Sequence, residues 1–577
     1  MRQLERANTG VIAGVHEAHR SDARNLVHYL ALRDRDVRGL QRELGERGLS
    51  SLGRCEPHVM ATVHSVRAAI DGTASRFEPA LGFEQGRAAL DHNADALFGP
   101  RPRGRVPRIM VTLPGEAAGD YDLVAHLLAQ GMDVARINGA HDGPDAWKQM
   151  VTNVRRATAE VGRPCRVSMD LPGPKLRTGE LVPGPEVVKL RPGRDLRGVA
   201  IQPASVALVA VASMSGDVGA VLPVDPAWID RRHGGDVIDL VDTRGARREL
   251  RVVDVAAGVC AAEVWDTTYV ETGSALSCGD DATLVGPLRP IPQSHLLRVG
   301  DPLVLTRDLR PSVPWRRGQP GCARIGCSLP AAFDAARVGQ RAILDDGKLT
   351  AVIERVTTEE IGLRILTASP NGSALRAEKG INLPDTELPV AAVTEADLPL
   401  LEIAAAHADM VALSFLRNEH DVDDVREHLA RLGADHLGLI LKIETTAAFT
   451  RLPEILLHAM RSPRVGVMIA RGDLAVECGY ERLAELQEEI LWLCEAAHLP
   501  VIWATEVLDQ LARTGQPSRA EITDAAMSQR AECVMLNKGP HVDVAITVLD
   551  DILRRMSGHQ RKKTALLRPL RSWTVTA

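Results

Sequence analysis

An α/β fold is what this sequence of 577 residues predicts. It divides into a (β/α)8 barrel at residues 105–177 and 392–560, a β-rich domain inserted after the third strand at 178–391, and a helical domain ahead of the barrel at 1–104. Three observations predict it. From Pro107, strand-like apolar runs alternate with helical stretches, the texture of a parallel sheet. After Arg177 the alternation gives way to short Val/Leu runs broken by Gly/Pro turns, and it resumes at Asp397. Three strands before this interruption and five after it make the eight that a closed barrel requires.

The elements follow in order. Within 24–49, Leu26, Leu30, Leu32, Val37 and Leu40 recur at near-helical spacing with charges between them, which predicts one helix; 58–70 predicts another. Pro79 and Gly82 loosen the stretch that follows, and Gly99-Pro-Arg-Pro-Arg-Gly-Arg105 reads as a basic linker whose charges are solvated. Strands are expected at 108–112, 134–138 and 165–169, with helices at 121–130 and 146–161 between them. In 178–391, Pro183-Gly184, Pro192-Gly193, Gly234-Gly235 and Gly300-Asp-Pro302 mark turns between short strands. Further strands are expected at Met410, Leu437, Val465, Val501 and Cys533, and 561–577 reads as a loose tail.

Composition narrows the class. With 45% hydrophobic and 25% charged residues the chain is of soluble globular type, and with 3% aromatics its cores must be built from Leu, Val, Ile and Ala. A net charge of -6 gives no case for nucleic acid as a partner. No apolar run reaches membrane length, and Met1-Arg-Gln-Leu-Glu-Arg-Ala lacks the apolar core of a secretory signal. Nine scattered cysteines without a C-x-x-C pair suggest reduced thiols in a cytoplasm.

The chemistry gathers at two segments. The apolar run 437–441 ends in Lys442 and Glu444, and the run 465–469 ends in Arg471 and Asp473. In a (β/α)8 barrel, charge at strand C-termini lies on the active face. Two carboxylates there suit a hard divalent cation such as Mg2+ that keeps positions open for substrate oxygens. Lys442 sets a fixed positive charge beside them, which fits chemistry on a phosphorylated or enolate-forming substrate. The competing reading is a pair of surface salt-bridge loops, against which both segments follow strand-like runs.

Nine motifs, in order, then resemble one family. They are Val134-Ala-Arg-Ile-Asn138 with His141, Met169-Asp-Leu-Pro-Gly-Pro-Lys-Leu-Arg-Thr-Gly179, Leu344-Asp-Asp-Gly347, Lys379-Gly-Ile-Asn-Leu-Pro384, Ser414-Phe-Leu-Arg417, Leu441-Lys-Ile-Glu444, Ala470-Arg-Gly-Asp-Leu474, Ala504-Thr505 and Pro517-Ser-Arg-Ala-Glu521. From about residue 108 to 556 the chain is similar to pyruvate kinase. The resemblance implies a TIM barrel with a mobile lid, and transfer of a phosphoryl group between phosphoenolpyruvate and ADP to give pyruvate and ATP. It implies that Glu444 and Asp473 ligate Mg2+ or Mn2+, that Lys442 stabilises the transferring group and the enolate, and that Arg136 binds phosphate. Thr505, with the backbone at Gly472, resembles the group that holds the substrate carboxylate. Asn138, His141, Arg177 and Lys379 fall on the nucleotide side, and Ser414 resembles a polar residue behind the site. From the residues alone, Thr505 also reads as ordinary strand packing, and His141 and Ser414 as capping or turn groups.

The chain departs from that family in four places. Ala140 stands where a serine helps Asn138 and Asp170 ligate potassium, and Lys175 where potassium-dependent members carry glutamate. The two changes predict activity without K+, the lysine ammonium serving as the monovalent cation. Pro172 replaces a frequent lysine, and Glu506 a glutamine. Asn537-Lys-Gly-Pro540 replaces Ser-Gly-Glu-Thr. The domain that usually follows the barrel has no counterpart, whereas the N-terminal helices and the enlarged lid are additions. Two further readings compete: a catalytically degenerate relative serving as metabolite sensor or scaffold, and a metal-dependent pyruvate or oxaloacetate lyase. A glycolytic kinase of this kind would be cytoplasmic, would touch neither membrane nor nucleic acid, and would be free to form a homo-oligomer.

Overall fold

The computed structural model describes residues 1–73, 81–210 and 220–565; the expectations for Pro79 and for residues 566–577 lie outside these. The described chain falls into two compact units. One comprises residues 1–177, 329–367 and 380–577, and the other 178–328 and 368–379.

The first unit contains a closed parallel barrel of eight strands: β1 (Arg108–Thr112), β2 (Val134–Asn138), β3 (Arg166–Asp170), β4 (Met410–Leu413), β5 (Gly438–Ile443), β6 (Val465–Ala470), β7 (Val501–Ala504) and β8 (Cys533–Leu536). Each strand pairs with the next, and β8 closes on β1 through Arg108↔Cys533 to Val111↔Leu536. The strands read as near-continuous apolar runs because both of their faces are covered. One face packs on the surrounding helices. The other meets its counterparts in the barrel interior, where Met110, Val134, Met410, Ala412, Ile440, Met468, Ile502, Ala504, Cys533 and Met535 form one cluster with Leu97 and Phe98.

Leu97 and Phe98 end the helix Phe83–Phe98 and cap this interior from the N-terminal ends of the strands. A Cβ on Gly438 would sit 2.4 Å from Leu97 Cδ1, and one on Gly466 2.5 Å from Leu97 Cδ2, so the cap needs glycine at the start of β5 and near the start of β6. The helices ahead of the barrel share its core rather than forming a separate one: Leu26, Tyr29 and Val59 belong to the same cluster as the barrel's outer layer. Buried polar contacts lock the seam. Asp22 accepts from His498 at 2.9 Å, and Asn25 donates to the Ala496 carbonyl at 2.8 Å.

Three expectations are corrected. The single helix across 24–49 is two, Arg20–Arg33 and Arg38–Glu46. Asp36 accepts from the Arg38 backbone N–H at 3.0 Å, a local bond that competes with helix continuation. The basic linker is not wholly solvated: Arg105 is 1% exposed and bridges Asp133 at 2.7 Å and Asp550 at 2.6 Å. Where a loose tail is expected to begin, Gln560–Arg561 pairs antiparallel with Thr564–Ala565.

Of the expected inserted stretch, Arg341–Leu344, Leu349–Val356, Glu360–Thr367 and Gly380–Asn382 form a sheet of the first unit with Leu176–Arg177 at its edge. The second unit is β-rich and has its own core, in which Leu208, Leu222, Trp228, Ile238 and Leu250 are buried. Its main sheet has seven strands, from Asp281–Leu284 at one edge to Ala220–Val224 at the other. Among the described residues no helix is long and apolar enough to cross a membrane.

Candidate active site

The predicted site residues of the first unit collect at the C-terminal ends of the barrel strands. Arg136 and Asn138 lie in β2, and Lys442 in β5 with Glu444 one residue beyond its end. Ser414 follows β4, and Thr505 follows β7. Gly472 and Asp473 open the helix Arg471–Cys478 directly after β6. This is the end of a parallel barrel where side chains converge while the strands below supply rigid support.

Lys442 is the hub. Its Nζ donates to Ser414 Oγ at 2.7 Å and lies 2.9 Å from Glu444 Oε1 and 3.7 Å from Asp170 Oδ2. Burial works to lower its pKa, but the Glu444 and Asp170 carboxylates outweigh it, so the ammonium is held charged above its ordinary range. Arg136 joins the same network: Nη2 lies 2.9 Å from Asp170 Oδ2, and Nη1 donates to Thr112 Oγ1 at 2.9 Å. Asp170 is 1% exposed, and its other oxygen, Oδ1, has no hydrogen-bond partner among the described residues. Buried oxygens rarely stay unsatisfied, so this one is a natural acceptor for a cation or a polar ligand atom.

Glu444 is buried, and its Oε2 accepts from the Phe415 backbone N–H at 2.6 Å. Burial pushes its carboxyl pKa up; Lys442 opposes this and the Asp473 charge adds to it. A buried carboxylate with a second carboxylate charge nearby is an arrangement that a divalent cation relieves. Asp473 meets the Lys175 ammonium, Nζ to Oδ1 at 3.0 Å, and that ammonium also lies 5.0 Å from the centroid of the Phe415 ring. Among the described residues there is no cluster of three or more His, Cys, Asp or Glu for a metal, so a cation held by Glu444 and Asp473 would take its remaining ligands from substrate and water.

Thr505 sits at φ +70° and Glu506 at +59°, a left-handed pair that turns the chain sharply after β7. Arg471 holds the turn, its guanidinium donating to the Ala504 carbonyl at 2.8 Å and to the Thr505 carbonyl, and lying 2.8 Å from Asp524. A Cβ on Gly472 would lie 2.9 Å from Thr505 Cγ2, so glycine is what lets these two residues meet.

Beside this network a cleft of about 950 Å³ is lined by Thr112, Arg136, Asn138, His141, Thr505 and Lys538. The His141 pKa is lowered by burial and then by the Lys538 charge, with Arg177 contributing. Arg177 pairs with Gly380 at the edge of the first unit's sheet. Lys379 belongs to the second unit, where its backbone N–H donates to Thr178 Oγ1 at 2.8 Å. Asn138 Oδ1 accepts from the Ala140 backbone N–H at 3.2 Å.

Sequence reasoning treated Asp170 only as a potassium ligand and missed its place between Arg136 and Lys442. The signal was present, since Asp170 ends a strand, as Glu444 directly follows one. It also missed the Arg471–Asp524 clamp and the Lys175–Asp473 pair, which no local pattern announces.

Comparisons with known proteins agree with the geometry. The family model "Pyruvate kinase, barrel domain" matches residues 105–211 and 318–540. Pyruvate kinase of Geobacillus stearothermophilus is 34% identical over 204 residues, 35% of this chain and 34% of the relative. Pyruvate kinase 1 of Trypanosoma brucei brucei is 25% identical over 452 residues, 78% of this chain and 66% of the relative. The matched regions thus span about a third to two thirds of these relatives' lengths. A crystal structure of a pyruvate kinase from Cryptosporidium parvum superposes with a TM-score of 0.53 at 20% identity, over 80% of this chain and 72% of that one.

Proposed function

The chain belongs to the pyruvate kinase family, and from that premise we propose that it catalyses phosphoryl transfer from phosphoenolpyruvate to ADP, giving pyruvate and ATP. The observation that carries the reading is Lys442, charged and buried at the end of β5, 2.9 Å from Glu444 and linked through Asp170 to Arg136. Phosphoryl transfer asks a protein mainly for positioning and charge neutralisation. A lyase acting on pyruvate or oxaloacetate would keep two carboxylates and an arginine but has no need of the ammonium at Lys442 or the cation at Arg177.

In this reading the bond from phosphorus to the enol oxygen breaks as one forms to a terminal oxygen of ADP, and the resulting enolate takes a proton at its methylene carbon. Glu444 and Asp473 would hold a divalent cation, which when bound supplies Lewis-acid stabilisation to phosphoryl and enolate oxygens. Lys442 keeps its proton on Nζ and offsets the charge of the transferring group. Arg136, braced by Asp170 and Thr112, orients the phosphate through its planar fork. Thr505 and the backbone at Gly472 bind the carboxylate, and Arg471 holds them in place. Asn138, His141 and Arg177 serve the nucleotide, and Ser414 fixes the Lys442 ammonium.

We further read the activity as independent of K+. The support is Ala140, whose methyl cannot ligate a cation, together with the fixed ammonium that Lys175 brings to Asp473. The ammonium stands in for the charge of a monovalent ion and not for its position, since it reaches Asp473 rather than Asn138 or Asp170. A cytoplasmic setting fits nine cysteines that are all free thiols. Lys442→Met tests the reading. ATP formation should fall about a hundredfold or more while thermal unfolding stays near wild type. A folded variant within a few-fold of wild-type rate removes Lys442 from the mechanism.

A further inference from the structure

At the other end of the barrel, where the strands begin, charge is gathered in a different pattern. Arg108 opens β1 and Arg166 opens β3, while Asp133, Asp409 and Arg464 directly precede β2, β4 and β6. Over this end lies a cleft of about 1220 Å³ whose walls carry Arg101, Arg103, Arg155, Arg163, Arg166 and Arg554. The cleft lies wholly within the first unit.

The carboxylates here do not balance the arginines. Asp133 is shared by Arg105 at 2.7 Å and Arg163 at 2.6 Å, and Asp409 by Arg155 at 3.0 Å and Arg166 at 2.8 Å. Asp550 is shared by Arg105 and Arg554. Among the described residues no carboxylate pairs with Arg101 or Arg103, both exposed. The six wall arginines and Arg105 thus meet three carboxylates, an excess of about four positive charges in a chain whose net charge is -6. Arg464 adds to the crowding, its pKa lowered by burial and then by Arg166.

The arginines are also presented for use. Arg155, Arg163 and Arg166 are 42%, 32% and 38% exposed at the side chain. Arg155 also donates to the His407 carbonyl, and Arg163 to the Met132 and Gly131 carbonyls, contacts that use only part of the five N–H donors each guanidinium carries. Arg554 is drawn against the loop: a Cβ on Gly104 would sit 2.2 Å from its Nη1, so glycine at φ +87° lets the loop wrap the guanidinium.

We propose that this cleft binds a small anion carrying two or more phosphate groups, at a site separate from the catalytic cleft. Planar guanidinium forks match phosphate oxygens two at a time. A single phosphate leaves most of the excess charge unmet. A long polyanion meets a chain of net negative charge and a cleft in place of an extended basic stripe.

The test is calorimetric titration of the full chain with inorganic tripolyphosphate at fixed ionic strength, in wild type and in the double variant Arg101→Ala/Arg103→Ala. Both residues are exposed and unpaired with carboxylates, so thermal unfolding should match wild type, and both lie outside the catalytic network, so basal turnover should too. The proposal expects saturable binding by wild type and a loss of tenfold or more in the double variant. No saturable binding, or a loss smaller than tenfold, overturns it and leaves the catalytic cleft as the only anion site. A single-stranded 20-mer oligonucleotide binding more tightly than tripolyphosphate at the same salt, with the same variant abolishing it, overturns it in favour of a nucleic-acid surface.

Discussion

The ammonium of Lys175 rests 3.0 Å from Asp473 Oδ1, on one of the two carboxylates proposed to hold the divalent cation. The chain therefore carries a positive charge of its own beside the site, in place of the charge of a monovalent ion. The wild-type rate should be flat in K+ when ionic strength is held constant with a bulky organic cation. Lys175→Glu should lower the rate in potassium-free buffer, on the order of tenfold or more, because it sets a third carboxylate beside Asp473 and Glu444. Added K+ should restore part of it. A steep rise of the wild-type rate with K+ contradicts this account of Lys175.

Glu444→Gln should raise the Mg2+ or Mn2+ concentration at half-maximal rate by on the order of tenfold or more, since an amide oxygen is a weaker ligand for a hard cation. A metal titration that superposes on wild type would mean that Glu444 does not ligate.

A third expectation concerns stability and pH. Glu495, under the N-terminal helices, has its carboxyl pKa pushed up to about 7 by burial, with Lys562 opposing and Glu56 adding to the rise. The folded state therefore favours the protonated acid. Its stability contribution is complete below the unfolded pKa near 4.5 and is lost as pH rises toward 7. Glu495→Gln, neutral at every pH, should gain on wild type across that window and hold level above it, by on the order of 2 kcal/mol. Urea unfolding at pH 5 and pH 8.5 measures the gap, and a gap that does not widen refutes the linkage.

Much of the barrel was legible because its strands are buried on both faces. Val134–Asn138 and Val465–Ala470 are apolar runs closed by polar or charged residues, which marks both the strand and the end that carries chemistry. Lys442, Glu444 and Asp473 stand out in the sequence for this reason. The helix break after Arg33 was not, because Asp34-Arg35-Asp36 suits an exposed helical turn as well as a loop. The periodic Leu26 and Tyr29 announce a buried face without saying that it packs on the barrel. Lys175 and Asp473 are 298 residues apart, and no local pattern encodes their meeting. Arg105 was misread because burial of a guanidinium depends on partners at Asp133 and Asp550 that composition does not reveal.

The most direct test of the central claim is the steady-state rate of ATP formation by the wild-type chain from phosphoenolpyruvate and ADP with Mg2+, in potassium-free buffer and again with K+ at equal ionic strength. The account predicts turnover that requires both substrates and Mg2+, with the same rate in the two buffers. Absence of ATP formation in both, from a folded protein, contradicts it and leaves a chain that keeps the fold of its family without the reaction.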